Sequence, residues 1–235
     1  MSRIQGENNA DSVDPFGGDA LKNSDQRIRS IVMSGVGGQG IILASDILSE
    51  GLLRLGYDVV KNEIHGMSQR GGSVFSFVRF SKVKVYSPMP LLFSADILLS
   101  FEKLEALRYL KYLKRGGIAL VSDIYLPPTP VSSGLMADPF EEEDLFKRFL
   151  GVYRFLFLPL DATAQRVGNP KVANVVALGS LTVLLSEICE DFELEEEFWL
   201  DVVSRKVKKK YIDVNRKAFL EGIRLTKSIL KDQTQ

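Results

Sequence analysis

Histidine and cysteine occur once each in this chain, at His65 and Cys189. A single histidine gives no histidine pair for a metal and leaves no Ser-His-Asp set to be assembled elsewhere. A single cysteine excludes an internal disulfide and any cluster held by four thiolates of this chain. Cys189 lies in an apolar helical run and reads as a buried, inert thiol. Excess charge is also missing. Thirty basic residues cancel thirty acidic ones, so no overall field draws in nucleic acid or an anionic membrane. The basic run from Arg205 to Lys210 reads as a solvated helix face. There is no N-terminal h-region, and the most apolar window, Val172 to Ile188, is shorter than a bilayer needs and carries Asn174, Ser180 and Thr182. These absences lead us to expect a cytoplasmic chain that uses Val172 to Ile188 as a core helix and holds no metal of its own.

What is present is organised around Ile28 to Gly72. An apolar run from Ile28 to Ser34 breaks into Gly35-Val36-Gly37-Gly38-Gln39-Gly40. Ile41, Ile42, Leu43, Ala44, Ile47, Leu48, Leu52 and Leu55 then recur near a helical period, and Gly56 suits the left-handed residue that ends a helix. A second run, Tyr57 to Ile64, completes a strand-helix-strand crossover, predicted right-handed with its two strands parallel. Both strands then end at the same edge of the sheet. There the glycine loop meets His65-Gly66-Met67-Ser68-Gln69-Arg70-Gly71-Gly72, at the edge where open parallel sheets hold their ligands.

The rest of the chain reads as one α/β, Rossmann-like unit with a mostly parallel sheet, an inserted β-hairpin and C-terminal helices. We divide it into a mobile tail over residues 1–27, the Rossmann-like domain over 28–190 and C-terminal helices over 191–235. The tail is polar and shows no sustained period. Ser73 to Phe80 and Val83 to Tyr86 are predicted to pair as an antiparallel hairpin, which replaces the helix that a dinucleotide-binding half places after its second strand. Ala95 to Phe101 reads as a buried strand, followed by an amphipathic helix from Glu102 that ends at Gly116-Gly117. Ile118 to Asp123 and Val152 to Leu158 are further strands, with a short acidic helix, Glu141 to Leu150, between them. Asp161 is expected to cap a helix that stops at Gly168-Asn169-Pro170. Helices are expected over Val172 to Cys189, Glu195 to Val207 and Tyr211 to Leu230.

Gly35, Gly37 and Gly40 satisfy the G-x-G-x-x-G pattern in the strand-turn-helix context that it requires, and Glu63 stands where a ribose-binding acid would be sought. That keeps open a free-standing NAD- or FAD-binding oxidoreductase. Against it stand the missing second helix and the loose spacing to Glu63. The glycines also let a helix pack on a strand and let a neighbouring backbone approach. In the second loop, Arg70 beside Gly71-Gly72 offers a fork of donors that suits a carboxylate, a phosphate or a carbonyl-rich partner surface, or else ties the loop to its own sheet. Nothing in the chain completes a catalytic set, so any chemistry is expected to be finished by another subunit.

At the glycine loop and at Glu63 to Val74 the sequence resembles the gamma-type module of the 2-oxoacid:ferredoxin oxidoreductases, most of all the beta chains of the branch acting on indolepyruvate. The similarity extends through Ser87-Pro88, Ala95 to Glu102, Gly168 to Lys171 with Asn174 to Ser180, and Asn215 to Gly222. The resemblance implies decarboxylation of an aryl 2-oxoacid on thiamine diphosphate, electron transfer through iron-sulfur clusters to ferredoxin, and acyl transfer to coenzyme A. It also implies that thiamine diphosphate and the clusters sit on a larger alpha subunit, none being bound by this chain alone. His65, Met67, Ser68, Gln69, Arg70, Gly71 and Gly72 would then face that subunit, substrate or coenzyme A, beside the loop of Gly35, Gly37, Gly38, Gln39 and Gly40. A scaffold in which neither loop approaches the chemistry is the remaining alternative. The N-terminal tail lies outside the resemblance.

Overall fold

The computed structural model describes residues 27–65, 72–138, 140 and 145–234. Strand β1 (Arg29–Val36) leads through the glycine loop into helix α1 (Ile41–Arg54), and β2 (Asp58–His65) returns antiparallel to β3 (Ser73–Ser81). After an irregular stretch come β4 (Ala95–Ser100), α2 (Lys103–Tyr109), β5 (Leu113–Ser122) and β6 (Arg154–Leu158). The chain closes with α3 (Leu160–Val167), α4 (Ala173–Ile188), α5 (Glu196–Lys206) and α6 (Ile212–Thr234).

The six strands form one sheet in the order β2-β3-β1-β4-β5-β6. β1, β4, β5 and β6 are parallel neighbours, and β3 runs antiparallel to both β1 and β2. β1 and β2 therefore point the same way, as expected, but they are not neighbours. β3 lies between them.

The hairpin exists with other partners than the sequence suggested. β3 pairs with β2 from Asp58↔Ser81 to His65↔Val74, whereas 83–86 forms no strand. The reason lies in the pattern of burial. β3 is an inner strand, with Val78 and Phe80 on one face and Phe77 on the other all fully buried, so it needs a full-length neighbour on each side. The Val83–Tyr86 run is too short, and the backbone N–H of its Val85 is taken by the Asp58 carboxylate at 2.7 Å. Three other boundaries move. α2 ends at Tyr109, and β5 begins at Leu113 and runs through Gly116, which holds φ 71°. Pro159, not Asp161, precedes α3, leaving Asp161 in its first turn. Of the expected acidic helix, 141–144 lies outside the described residues and Leu145–Phe149 is a 3-10 turn.

Alternation along the strands sorts the core into two layers. Ile31, Met33, Ile97, Leu99, Ile118 and Leu120 face α1 and α3 to α6, while Val32, Leu98, Ala119 and Val121 face α2 and the Phe146–Phe155 aromatic pair. The helix entering α4, Pro170–Ile188, is long and apolar enough to cross a membrane, yet 72% of its most apolar window is buried inside the fold. That is what a central core helix requires. Cys189, at its end, is buried, and burial pushes its thiol up to about 11.

Candidate functional site

β1 is followed by a helix on one face of the sheet and β4 by a helix on the other. The gap between the carboxyl ends of these two parallel strands is the point at which open α/β sheets accept ligands. A cleft of about 600 Å³ lies there, lined by Gly38, Gln39, Gly40, Phe101, Lys171 and Asp161 among others.

The glycine loop is held by its own side chain. Val36 N–H donates to Gln39 Oε1 at 2.7 Å, and Gln39 Nε2 donates to the Phe101 carbonyl at 2.9 Å. A Cβ on Gly35 would sit 2.6 Å from Gln39 Oε1, so only glycine lets the glutamine fold back. Gly40 caps α1 with φ 80° and ψ 25°. Asn174 Nδ2 donates to its carbonyl at 3.2 Å, and a Cβ there would meet that nitrogen at 2.5 Å. The start of α4 is thereby fastened to the start of α1.

The second loop is joined to the first. Gly37 N–H donates to the Gly72 carbonyl at 2.8 Å, and Val36 pairs with Ser73 in the sheet. His65, at the end of β2, pairs with Val74. So both ends of the loop, His65 and Gly72, stand at the glycine-loop edge. Met67, Ser68, Gln69, Arg70 and Gly71 lie outside the described residues.

The dinucleotide reading meets two obstacles in this geometry. A pyrophosphate cradle needs free amides in the loop, whereas the N–H groups of Val36, Gly37 and Gln39 are already used, the last by the Val36 carbonyl at 3.1 Å. Glu63 is no nearer to serving: it stands on the outermost strand, paired with Lys61 at 2.6 Å and accepting from Ser45 at 3.0 Å. Calorimetric titration of the isolated chain with NAD and with FAD is expected to be flat; saturable heat with either would restore that reading.

Residues that sequence reasoning did not single out complete the site. Lys171 and Asp161 flank the cleft, and burial, with Asp123 adding to it, raises the Asp161 carboxyl above its ordinary range. The signal was the Asn169-Pro170-Lys171 break before an apolar helix, where the Asn169 side chain accepts from Lys171 N–H at 3.0 Å. Next to Gly72, Ser73 Oγ donates to Glu105 Oε2 at 2.5 Å and lies 3.3 Å from the Tyr109 hydroxyl. Glu102 caps α2 by accepting from Glu105 N–H at 2.8 Å. Among the described residues, no group of three or more His, Cys, Asp or Glu could hold a metal ion.

Glu105 is 4% exposed. Burial raises its carboxyl above the usual range, while Ser73 and Arg108 pull it back. A carboxyl raised on folding binds its proton more tightly in the folded chain, so stability falls as pH rises from about 4 through the raised value. Glu105→Gln removes that fall. Its melting temperature relative to the parent should climb over this interval and then level off; parallel profiles would show that Glu105 does not titrate there.

Known proteins resemble the chain over nearly its whole described length. The family model described as pyruvate ferredoxin/flavodoxin oxidoreductase matches residues 30–225. Indolepyruvate oxidoreductase subunit IorB of Pyrococcus horikoshii is 41% identical over 204 residues, covering 86% of this chain and 97% of that one. 2-Oxoglutarate synthase subunit KorC of Methanocaldococcus jannaschii is 29% identical over 202 residues, 86% of this chain and 95% of that one. Among solved structures, the gamma subunit of a keto/oxoacid ferredoxin oxidoreductase from Geobacter sulfurreducens superposes with a TM-score of 0.63 at 29% identity, over 86% of this chain and 98% of that one. A 2-oxoglutarate:ferredoxin oxidoreductase from Magnetococcus marinus shares the fold, with a TM-score of 0.66 at 23% identity over 86% of this chain and 32% of that one. With a family model that spans most of the chain and relatives aligned almost end to end, this chain belongs to the pyruvate ferredoxin/flavodoxin oxidoreductase family, as a subunit of a 2-oxoacid:ferredoxin oxidoreductase.

Proposed function

We propose that this chain is the non-catalytic subunit of an oxidoreductase acting on indolepyruvate or a related aryl pyruvate, and that its two joined loops help to close an active site carried by a larger alpha subunit. The names of the relatives support the substrate class. On that alpha subunit, bound thiamine diphosphate would supply the decarboxylation chemistry and iron-sulfur clusters the path of electrons to ferredoxin. This chain's one cysteine, buried at the end of α4, does not fit a cluster. What its own residues supply is a rim for an anionic reactant, which we take to be coenzyme A. The observation that carries this reading is the hydrogen bond from Gly37 to Gly72. It ties Gly72, the residue that follows the Arg70-Gly71 stretch, to the glycine loop of a cleft where α1, α3 and α4 all begin, with Lys171 beside them. Helix starts carry partial positive charge, so three of them around one opening favour an anion.

Arg70→Ala tests the role of the loop. Hydrogen bonds to charged groups contribute about 1.5–3 kcal/mol. In the reconstituted complex kcat/KM for coenzyme A should fall by roughly tenfold or more, with the melting temperature of this subunit unchanged. Unaltered kinetics would remove Arg70 from the reaction and leave a scaffold.

A further inference from the structure

The opposite rim of the sheet carries a cluster of exposed apolar side chains. Between β3 and β4, Tyr86 is 87% exposed, Leu91 79% and Phe93 62%, with Met89 and Leu92 also exposed. The stretch is firmly placed. Arg79 spans from the Ser30 hydroxyl, at 3.1 Å, to the carbonyls of Ser87 and Met89 at 2.7 and 3.2 Å. Phe93 and Ser94 donate to the carbonyls of Lys111 and Tyr112. Phe93 is the one described residue other than glycine with positive φ, 59°, so its ring is presented by a constrained backbone. Five exposed apolar side chains between Tyr86 and Phe93 are more than isolated surface hydrophobics, and such a concentration marks a contact site.

Two observations indicate what covers it. First, the described chain begins there. Arg27 pairs with Asp96 at 2.9 Å, two residues beyond Ser94, and Ser30 N–H donates to the same carboxylate. The 26 residues before Arg27 therefore join the fold beside the patch. Second, the charges are complementary. Residues 1–26 contain Glu7, Asp11, Asp14, Asp19 and Asp25 against Arg3 and Lys22. The rim offers Arg27 and Lys114, which share the single buried carboxylate of Asp96, and Lys111, whose carbonyl accepts from Phe93; Lys84 is already paired with Asp58. Within the acidic segment stands a short apolar group, Val13, Pro15, Phe16 and Leu21.

We infer that the N-terminal segment, through Val13 to Leu21, docks across Tyr86, Met89 and Leu91 to Phe93 of its own chain. From Phe16 to Arg27 an extended chain spans roughly 35 Å, enough to reach every part of the patch. Tethering raises the effective concentration of such a segment to about millimolar, which a separate partner must exceed to displace it. The inference concerns the rim away from the cleft and stands independently of the proposed function.

Hydrogen exchange of the full chain and of a chain lacking residues 1–26 tests it. The amides of Tyr86, Met89, Leu91 and Leu92 should exchange at least tenfold faster without the segment, and the shortened chain should bind anilinonaphthalene sulfonate several-fold more strongly. The full-length double variant Leu91→Gln and Leu92→Gln gives a second readout that needs no deletion. It should make residues 10–24 several-fold more sensitive to protease while the melting temperature stays within a few degrees. Equal exchange and dye binding with and without the segment would overturn the inference. So would protection of 86–92 that appears only when the larger subunit is added, which would assign the surface to that subunit.

Discussion

Gly222→Ala is expected to lower the melting temperature by roughly 10 °C, although alanine is by about 1 kcal/mol the better helix former. The reason is the crossing of α4 and α6. A Cβ on Gly222 would lie 2.0 Å from the Val176 carbonyl oxygen, and one on Gly179 would lie 2.1 Å from that of Phe219. Both obstacles are backbone atoms, so no side chain can turn aside and the helices themselves must part. Parting them also stretches the bond from Ser180 Oγ to the Gly222 carbonyl, 3.1 Å long. Overpacking of this kind costs about 3 kcal/mol, which in a chain of this size corresponds to several degrees per kilocalorie. Gly179→Ala should cost a similar amount. The double variant should cost less than the two together, because one separation of the helices relieves both clashes. Thermal unfolding of the three variants decides the matter. A Gly222→Ala chain melting within about 2 °C of the parent would show that the helices do not approach so closely.

The second large effect is expected at Gln39. Its side chain accepts from Val36 N–H and also donates to the Phe101 carbonyl. The two partners fix which end of the amide is which, since an N–H needs the oxygen and a carbonyl needs the nitrogen. Gln39→Ala strands both groups, at about 1–3 kcal/mol for each one left buried without a partner. It also frees the loop whose Gly37 holds Gly72. Activity of the reconstituted complex is therefore expected to fall at least tenfold, more steeply than stability alone explains. Gln39→Glu should be no better, because a carboxylate keeps the Val36 contact but faces the Phe101 carbonyl with like charge. Steady-state kinetics beside melting curves separate the effects. Full activity in Gln39→Ala would show that the glycine loop has no part in turnover.

Much of this was legible in the order of residues. The glycine run after an apolar strand forced a turn into a helix, and it does form the switch-point loop. The parallel direction of β1 and β2, and with it the meeting of the two loops at one edge, followed from chain connectivity alone. The apolar run from Val172 announced the core helix. Local pattern could not say that β3 would slide between β1 and β2, because strand pairing is settled by long-range burial on both faces of the sheet and not by neighbours in sequence. It could not pair Glu105 with Ser73, since that depends on α2 folding back over the start of β3. Nor could it show that the N–H groups of Val36, Gly37 and Gln39 would be taken by the Gln39 side chain, the Gly72 carbonyl and the Val36 carbonyl, which argues against a dinucleotide.

The residues themselves fixed the kind of element at each place, since turn chemistry and hydrophobic period act within a few positions along the chain. Which strand became central, which amides were spent, and where Lys171, Asn174 and Glu105 came to stand were settled only when distant segments packed. Those outcomes minimise exposed apolar area and unpaired polar groups across the whole molecule, a sum that no short stretch contains.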